Sequence, residues 1–200
     1  MPSDGHLNRA AIHRVIDASD PQREGFVDAY KEIFAGPPYF EAYTDGDVIS
    51  SVWNPHIGQC ILVAVDTLGR VIGFGCCHSV MSPAEPKIRD FILSRPGIGS
   101  LFDPERTIFM SEIAVREECR RRGLGKRLIF ERFRWGLEHG FSSYCMRTAE
   151  HGSNSRRLYE RIGAKRAPFV QDVSADIDSA SKSRIYLYGS LVDALAEQEN

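Results

Sequence analysis

The segment 112–126 constrains the fold more than any other part of the chain. An apolar run, Ile113, Ala114 and Val115, leads into a strongly basic stretch with glycines at 123 and 125, and an amphipathic run follows at once. Flexible cationic side chains lie close to those glycines in sequence: Arg120, Arg121, Arg122 and Lys126. Glycines let the backbone approach a ligand closely, and a helix that begins there points its unpaired N–H groups and its positive dipole end outward. The order strand, glycine loop, helix therefore predicts an anion-binding loop.

Two other glycine motifs that bind phosphate do not fit the chain. A nucleotide P-loop needs Ser or Thr after its Gly-Lys pair, and here Arg127 follows Lys126. A dinucleotide fingerprint needs three glycines, and the pairs at 73/75 and 97/99 both lack the third. The motif that remains is Arg-x-x-Gly-x-Gly, formed by Arg120, Gly123 and Gly125.

A second segment strengthens this interpretation. It covers 154–164, contains Asn154 and, five residues later, Tyr159, and closes on Gly163. With both motifs in this order, and one helix and one strand between them, the chain resembles the GNAT superfamily of acetyl-CoA-dependent N-acetyltransferases. The resemblance is firm over 107–164 and looser over 11–80.

The loop departs from the family pattern at three positions. A proline and a glycine that are common in the family's loop are Glu117 and Arg121 here, and Cys119 takes a position that is often aromatic. These changes leave the anion-binding loop in place and alter its rigidity and its charge.

The resemblance implies how acetyl-CoA is held. The loop binds the pyrophosphate of coenzyme A, while the strand before it is splayed by a bulge and binds the pantetheine arm through its main chain. One N–H group of that strand polarises the thioester carbonyl. The residues assigned to the cofactor in this way are Ile113, Ala114, Val115, Arg120, Arg121, Arg122, Gly123, Leu124, Gly125, Lys126, Asn154 and Tyr159.

Two residues are candidates for proton transfer. Glu112 is the one acid of an otherwise apolar run, where a carboxylate is costly unless it is partnered or neutral. With a pKa raised by burial it would take a proton from the acceptor amine directly or through water; the alternative is that it only supports the loop. Tyr159 matches the family's thiolate-facing position and is the candidate acid, with a core aromatic as the alternative. Asn154 caps its helix, bonds the cofactor, or does both.

The resemblance implies that the segment between the first two helices lines the acceptor side. Here that segment is 37–43, which holds two prolines, three aromatic residues and an acid. Tyr39, Phe40 and Glu41 would supply a wall and a negative charge for a cationic amine. The alternative is a tight turn that packs on the core. The breadth of the family that the chain resembles, and no particular residue, favours a small-molecule amine over a protein lysine or N-terminus as the acceptor.

The fold class implied is α/β, a GNAT fold. Its central sheet is mixed but mostly antiparallel, with six to seven strands, a parallel splayed central pair and about four flanking helices. Apolar periodicity predicts strands at 11–16, 59–65, 70–80, 107–115, 141–148, 166–171 and 184–188. It predicts helices at 21–35, 45–53, 87–93, 125–139 and 154–162. Ser19-Asp20-Pro21 supplies the N-cap of the first, with proline at the first helical position.

Length and composition agree with one domain over 1–200, whose cofactor-binding core is about 107–164. A hydrophobic fraction of 42% suffices for one core, and a formal net charge of −2 makes the cations near 120 a local feature. No apolar run or N-terminal pattern indicates a membrane span or a secretion signal, so we expect a cytoplasmic monomer or homodimer.

Neither the cysteines nor the histidines are spaced as metal ligands, so no metal is expected. The five cysteines suit a reducing compartment, with a catalytic Cys145 left open. Two further alternatives differ from an enzyme: an acyl-CoA-binding regulatory module without turnover, and a basic helix over 116–134 that binds nucleic acid. Acidic residues dilute the charge of that helix, and its apolar residues are needed for the core, so we expect no nucleic-acid partner.

Overall fold

The structure, a computed structural model, describes residues 10–37, 40–150, 154–173 and 183–199. The strands are β1 (Ala11–Arg14), β2 (Cys60–Val65), β3 (Val71–Ser79), β4 (Thr107–Phe109), β5 (Ile113–Val115), β6 (Ser143–Ala149), β7 (Lys165–Asp172) and β8 (Ser183–Ser190). The α-helices are α1 (Arg23–Ala35), α2 (Asp45–Val48), α3 (Asn54–His56), α4 (Pro86–Leu93), α5 (Ile98–Leu101), α6 (Leu124–Glu138), α7 (Asn154–Arg161) and α8 (Leu191–Glu199). The fold is therefore mixed α/β, as predicted.

Contacts between residues group the chain into two compact units, which are described one at a time. The first contains Met1–Cys77 and Glu112–Arg132, and the second contains His78–Ser111 and Phe133–Asn200.

In the first unit, β2 and β3 form the antiparallel hairpin that the sequence predicted. β1 pairs with β2, and β5 pairs with β3, both antiparallel. Helix α1 buries an aromatic face whose members are Phe26, Tyr30 and Phe34. Phe26 lies 5.1 Å from Trp53 and 4.6 Å from Phe74 between ring centroids, so α1 is held by aromatic packing on β3.

Helix α1 begins at Arg23, two residues after Pro21, which was predicted as its first helical position. Ser19 donates its N–H and its hydroxyl to the Asp17 carboxylate, and the Asp20 carboxylate accepts from the N–H of Gln22 at 2.8 Å. Gln22 is the cap residue and makes no capping bond through its side chain. The prediction that Ser19-Asp20-Pro21 supplies the cap was therefore wrong, because these residues form turns before the helix.

The helix at 45–53 continues past its predicted stop. A π-helical turn, Ile49–Trp53, joins α2 to α3, and Pro55 lies inside the continued run. Asn54 donates its N–H to the carbonyl of Ile49, five residues back. The wider turn relieves the clash that a proline ring makes with the carbonyl four residues before it.

The second unit contains the parallel pair that the sequence predicted. β4 and β6 pair in parallel, from Thr107↔Ser143 to Phe109↔Cys145. β6 pairs with β8, and β8 with β7, both antiparallel, and the last residues of β3 pair with β4. The expected βαβ unit is thus confirmed, with α6 as its connection.

The predicted strand at 107–115 is divided into β4 and β5. Met110 donates its N–H to the carbonyl of Cys145 on β6, whereas the carbonyl of Glu112 accepts from Cys76 on β3. The run changes partner strand between these two residues, which a continuous apolar pattern does not reveal. This division also raises the number of strands in the described residues above the six to seven predicted.

Helices are more numerous than the four predicted, mainly because short turns at 54–56 and 98–101 are helical. Helix α8 was not predicted at all; it packs Leu191 and Ala194 inward. The polar stretch at 172–183, which we expected to be mobile, lies mostly outside the described residues. No helix in the described part of the chain is long and apolar enough to cross a membrane.

Candidate functional site

Strand β5 approaches β3 at two glycines. Gly73 and Gly75 are the partners of Val115 and Ile113. A Cβ atom on Gly73 would lie 3.0 Å from the carbonyl oxygen of Ala114, so only glycine allows this spacing without a shift. β5 is partly buried, and it carries the three residues predicted to bind the pantetheine arm.

The loop after β5 has the backbone conformation of an anion-binding loop. A 3₁₀ turn at Glu117–Cys119 comes first, and Arg121 and Gly123 then adopt φ values of 60° and 81°. Arg127 donates its N–H to the carbonyl of Gly123, the first bond of α6. The N–H groups of residues 124, 125 and 126 precede that bond, so they have no acceptor within the helix and are directed out of its N-terminus.

The side chains around this terminus are cationic. Arg120, Arg121, Arg122 and Lys126 are exposed. The Arg120 guanidinium returns to donate to the carbonyl of Val115 at 2.9 Å, which ties the loop to the end of β5. Cys119 is buried, and this burial raises the pKa of its thiol. The loop therefore has a buried anchor and a basic outer surface.

A buried arginine fixes the beginning of the loop. Arg116 is 4% exposed, and its Nε donates to the carbonyl of Val71 at 2.7 Å. Its guanidinium also contacts the Glu32 carboxylate on α1, and the hydrogen bond from Arg116 lowers the pKa of Glu32. Arg70 continues the network, with Glu118 3.0 Å away. These ion pairs connect the loop with α1 and the β2–β3 hairpin.

Glu112 lies between β4 and β5 and is partly buried. Its carbonyl accepts from the N–H of Cys76 at 2.8 Å and from the Arg132 guanidinium at 3.0 Å. Arg132 is fully buried and also donates to the carbonyl of Cys76 at 3.0 Å. Its guanidinium thus bridges β3 and the residue that precedes β5, which fixes the main chain of the candidate base.

The predicted acceptor segment folds back on α1. Glu41 donates its N–H to the carbonyl of Phe34 at 2.9 Å, and Phe40 is 73% exposed with a φ of 53°. Tyr43 donates its hydroxyl to the Glu41 carboxylate at 2.6 Å. Tyr39 lies outside the described residues. Phe40 and Glu41 stay predictions as acceptor-binding residues.

Tyr159 belongs to the second unit, on α7. Its side chain is fully buried, with the ring centroid 6.1 Å from that of Tyr144. Its carbonyl accepts from Ile162 and Ala164, which closes the helix before Gly163 at a φ of 82°. Asn154 begins α7, and its side chain lies outside the described residues. The catalytic role of Tyr159 and the cofactor role of Asn154 stay predictions.

Cys145 is fully buried, and burial raises the pKa of its thiol, the opposite of what a nucleophilic cysteine needs. The helix α6 buries Leu128, Ile129 and Phe133 completely. Those residues serve the core, as the sequence analysis required, and none of their apolar surface is available to a partner.

Sequence reasoning missed Arg132, a residue of the first unit that fixes the main chain of Glu112. The one signal for Arg132 is its spacing, because it lies four residues after the buried Leu128 and carries the buried periodicity onward. Tyr43 belongs to the segment 37–43 that was predicted to line the acceptor side, and Tyr30 to the apolar face predicted for α1.

Comparison with known proteins agrees with this geometry. The sequence model of the "Acetyltransferase (GNAT) family" matches residues 26–164. Comparison with curated protein sequences gives no match. Among solved structures, an N-acetyltransferase from Staphylococcus aureus Mu50 is 14% identical with a TM-score of 0.64, over 90% of this chain and 99% of that one.

Two further structures are similar at the level of the fold. Ard1 from Thermoplasma volcanium is 15% identical with a TM-score of 0.63, over 90% of this chain and 97% of that one. The ribosomal-protein-S18-alanine N-acetyltransferase from Escherichia coli is 13% identical with a TM-score of 0.61, over 91% and 94%. Because the family model covers well over half of the sequence, the chain belongs to the acetyltransferase (GNAT) family.

Proposed function

We propose that this chain is an N-acetyltransferase that moves an acetyl group from acetyl-CoA to a primary amine of a small molecule. The amine attacks directly in a ternary complex, without an acyl-enzyme. We further propose that 1–200 acts as one functional domain in a reducing, cytoplasmic setting, which its five free and buried cysteines support.

The observation that carries the proposal is the loop before α6. Its helix N-terminus, the positive φ of Arg121 and Gly123, and four exposed cations fit a diphosphate. The loop lies within the residues that match the family model, and we expect it to hold coenzyme A. Arg120, Arg122 and Lys126 would neutralise the phosphates, and the N–H groups at 124–126 would donate to them.

Acetyl-CoA supplies an activated thioester when it is bound. The main chain of β5 would hold the pantetheine arm, and one of its N–H groups would stabilise the negative charge that develops on the carbonyl oxygen. Glu112 would take the proton of the acceptor ammonium, with its main chain fixed by Cys76 and Arg132. Tyr159 would protonate the departing thiolate; a phenol and a thiol have pKa values of about 10 and 8.5, so position matters more than acid strength.

The acceptor is argued from this chain's own residues, since its structural relatives are too distant to transfer a substrate. Two carboxylates, Glu41 and Glu112, act electrostatically on the same pair of tyrosines, Tyr30 and Tyr43. Carboxylates near aromatic rings suit a cationic amine. Tyr39 and Phe40 would complete the wall.

The test of the function is thiol release from acetyl-CoA across polyamines, aminoglycosides, amino acids and lysine or N-terminal peptides. We expect a small amine to give the highest kcat/KM. A peptide as the best acceptor would overturn the small-molecule part of the proposal. Binding of acetyl-CoA without turnover by any amine would favour the regulatory module.

A glycine pair tests the loop itself by calorimetry with coenzyme A. Gly123 has a φ of 81° and Gly99 has no positive φ, and a Cβ atom on either would meet nothing within 4 Å. Gly123→Ala should weaken binding at least several-fold, because the left-handed backbone costs an alanine about 1–2 kcal/mol. Gly99→Ala should bind as the parent does. Equal binding by all three proteins would contradict the loop assignment.

A tyrosine pair tests the proton donor. Tyr159→Phe should lower kcat and leave the Kd of coenzyme A unchanged. Tyr144→Phe is the matched control, since Tyr144 is equally buried and its ring lies beside Tyr159. Parent-like kcat in Tyr159→Phe would show that Tyr159 is a core aromatic only.

A further inference from the structure

The main-chain groups of β5 face two directions. The carbonyl of Glu112, just before the strand, accepts from the N–H of Cys76 on β3 at 2.8 Å. Along an antiparallel pair every second residue turns its N–H and carbonyl to the partner strand, so Ile113 turns them to the opposite edge. Val115 has the same orientation, because its carbonyl accepts from the Arg120 guanidinium at 2.9 Å. Since β3 occupies one edge of β5, a strand-like ligand can pair only with the other.

One peptide group joins the carbonyl of Glu112 to the N–H of Ile113. Because a trans peptide is planar, its C=O and N–H bonds point in opposite directions. The carbonyl faces β3, so the Ile113 N–H is directed out of the edge at which the pantetheine arm is expected. Hydrogen bonds polarise one another through such a group, and a donor on the carbonyl makes the N–H a stronger donor.

Arg132 supplies a cationic donor to that carbonyl. Its guanidinium nitrogen Nη1 lies 3.0 Å from the carbonyl oxygen of Glu112 and 3.0 Å from that of Cys76, and its Nε donates to Leu128 on its own helix at 3.2 Å. A guanidinium is planar and always charged, and hydrogen bonds from a charged donor are stronger than neutral ones. The Glu112 carbonyl therefore has two donors, and one of them carries a positive charge.

Strand β3 leaves room for this guanidinium at Gly75, the partner of Ile113 across the strand pair. A Cβ atom on Gly75 would lie 3.0 Å from Nε of Arg132 and 3.3 Å from its Cδ and Cζ. The guanidinium thus occupies the space that a side chain on β3 would fill. Arg132 is fully buried, so water does not screen its charge from the neighbouring peptide group.

We propose that Arg132 is a positioning residue for acetyl transfer. Its guanidinium aligns and polarises the peptide group between Glu112 and Ile113, so that the Ile113 N–H stabilises the negative charge that develops on the thioester oxygen. Arg132 acts through this peptide group and does not touch the ligand. A fixed donor of this kind stabilises the transition state without reorganising during the reaction. This inference rests on the proposed function.

The direct readout is the infrared stretching frequency of the thioester carbonyl in bound acetyl-CoA, labelled with ¹³C at that carbon. A stronger hydrogen bond lowers this frequency. In the parent the frequency should lie below that of free acetyl-CoA in buffer. In Arg132→Met it should return towards the free value, because the Ile113 N–H loses its polarising partner. This measurement needs no turnover, so it reports on the donor and not on the rate.

The kinetic readout is kcat. In Arg132→Met it should fall at least about tenfold, which is less than the hundredfold to thousandfold cost of removing an oxyanion donor itself. Arg132→Lys keeps a cation without the planar fork and should lie between Arg132→Met and the parent in kcat and in carbonyl frequency. The Kd of coenzyme A, which has no thioester, should not change in either variant.

Gly75→Ala tests the same contact with Arg132 left in place, because the added methyl group must displace the guanidinium. It should lower kcat and raise the carbonyl frequency in the same direction as Arg132→Met. Should Arg132→Met fail to fold, Arg132→Lys and Gly75→Ala provide both readouts.

Ile129→Ala is the control for lost stability. Ile129 is fully buried on the same helix, and its truncation leaves a cavity without removing a donor. It should lower the midpoint of thermal unfolding, as Arg132→Met does, and keep the kcat and the carbonyl frequency of the parent.

The outcomes are distinct. If the parent acetylates an amine while Arg132→Met and Arg132→Lys keep its kcat and carbonyl frequency, the inference is overturned and the proposed function stands. If Ile129→Ala changes both readouts as much as Arg132→Met does, the effect is one of stability, and the inference is again overturned. A parent that binds acetyl-CoA and acetylates no amine overturns the proposed function, whereas the carbonyl frequencies still test the role of Arg132.

Discussion

Arg121 has a strained backbone. Its φ of 60° lies in the left-handed region, at a position where the resemblance led us to expect a glycine. A side chain there costs about 1–2 kcal/mol relative to a right-handed conformation. The chain therefore carries backbone strain at the loop in return for an additional exposed cation.

Because of this strain, we expect glycine to be more stable than alanine at position 121, the reverse of their usual order. Arg121→Gly should be more stable than Arg121→Ala by about 1 kcal/mol in urea unfolding, because only glycine adopts a positive φ without strain. Arg122 is the control, since it is exposed and has no positive φ. At that position alanine should be at least as stable as glycine. The same order at both positions would contradict the left-handed conformation of Arg121.

At the scale of elements, one buried guanidinium holds the junction of β3 and β5. Arg132→Met should lower the free energy of unfolding by about 2–4 kcal/mol, because the carbonyls of Cys76 and Glu112 lose a charged donor. Arg134→Met is the control on the same helix; Arg134 is exposed and bonds Gln198. Its effect should be within about 0.5 kcal/mol. Equal effects of the two substitutions would show that Arg132 does not hold the junction.

The ion pairs that tie the loop to α1 predict a dependence of stability on pH. The pKa of Glu32 is lowered in the folded state by the hydrogen bond from Arg116, so its contribution is present above the unfolded pKa, near 4.5, and is lost as pH falls through the folded pKa. The parent should be more stable than Glu32→Gln at pH 6 to a degree limited by solvent screening, since Glu32 is 56% exposed. The difference in urea midpoint should vanish in acid below the folded pKa. A difference that does not change with pH would contradict this account.

These elements also show how far the sequence could predict the fold. The hairpin β2–β3, the parallel pair β4 and β6, and helices α1, α6 and α7 follow from local periodicity and turn residues, so they were predicted. The division of the strand after Met110 depends on a change of hydrogen-bonding partner from β6 to β3. The start of α1 depends on an Asx turn at Ser19 that competes with the helix cap. Tertiary structure decides between such hydrogen-bond partners, and the periodicity of the sequence does not indicate the outcome.

In the candidate site, too, local features were predicted from the sequence and long-range contacts were not. The loop at 120–126 is local, and its glycines and cations predicted its backbone well. The hydrogen bond from the N–H of Glu41 to the carbonyl of Phe34 joins a helix to the segment after it, and Arg132 bridges the carbonyls of Cys76 and Glu112, which are far apart in sequence. The sequence gives residue types at these positions but not their hydrogen-bond partners.

At the scale of the whole molecule, the distribution of charge matters more than its sum. The formal net charge is −2, which by itself repels an anionic ligand, yet the loop concentrates exposed cations at one helix N-terminus. The affinity for coenzyme A should therefore depend on the local cations and not on the total charge. Salt should weaken this interaction, because charges are screened beyond about 10 Å at 0.1 M ionic strength.

Two double variants of equal net charge separate these effects. Arg122→Gln with Lys126→Gln, and Arg14→Gln with Arg161→Gln, each take the formal net charge from −2 to −4 by removing two positive charges. The loop variant should bind coenzyme A about tenfold or more weakly at low salt, because it removes two cations beside the phosphates, and its Kd should approach that of the parent at high salt. The second variant, whose cations do not belong to the loop at 120–126, should keep the parent's Kd throughout. If the two variants weaken binding equally, the total charge governs recognition, and the loop is not the phosphate site.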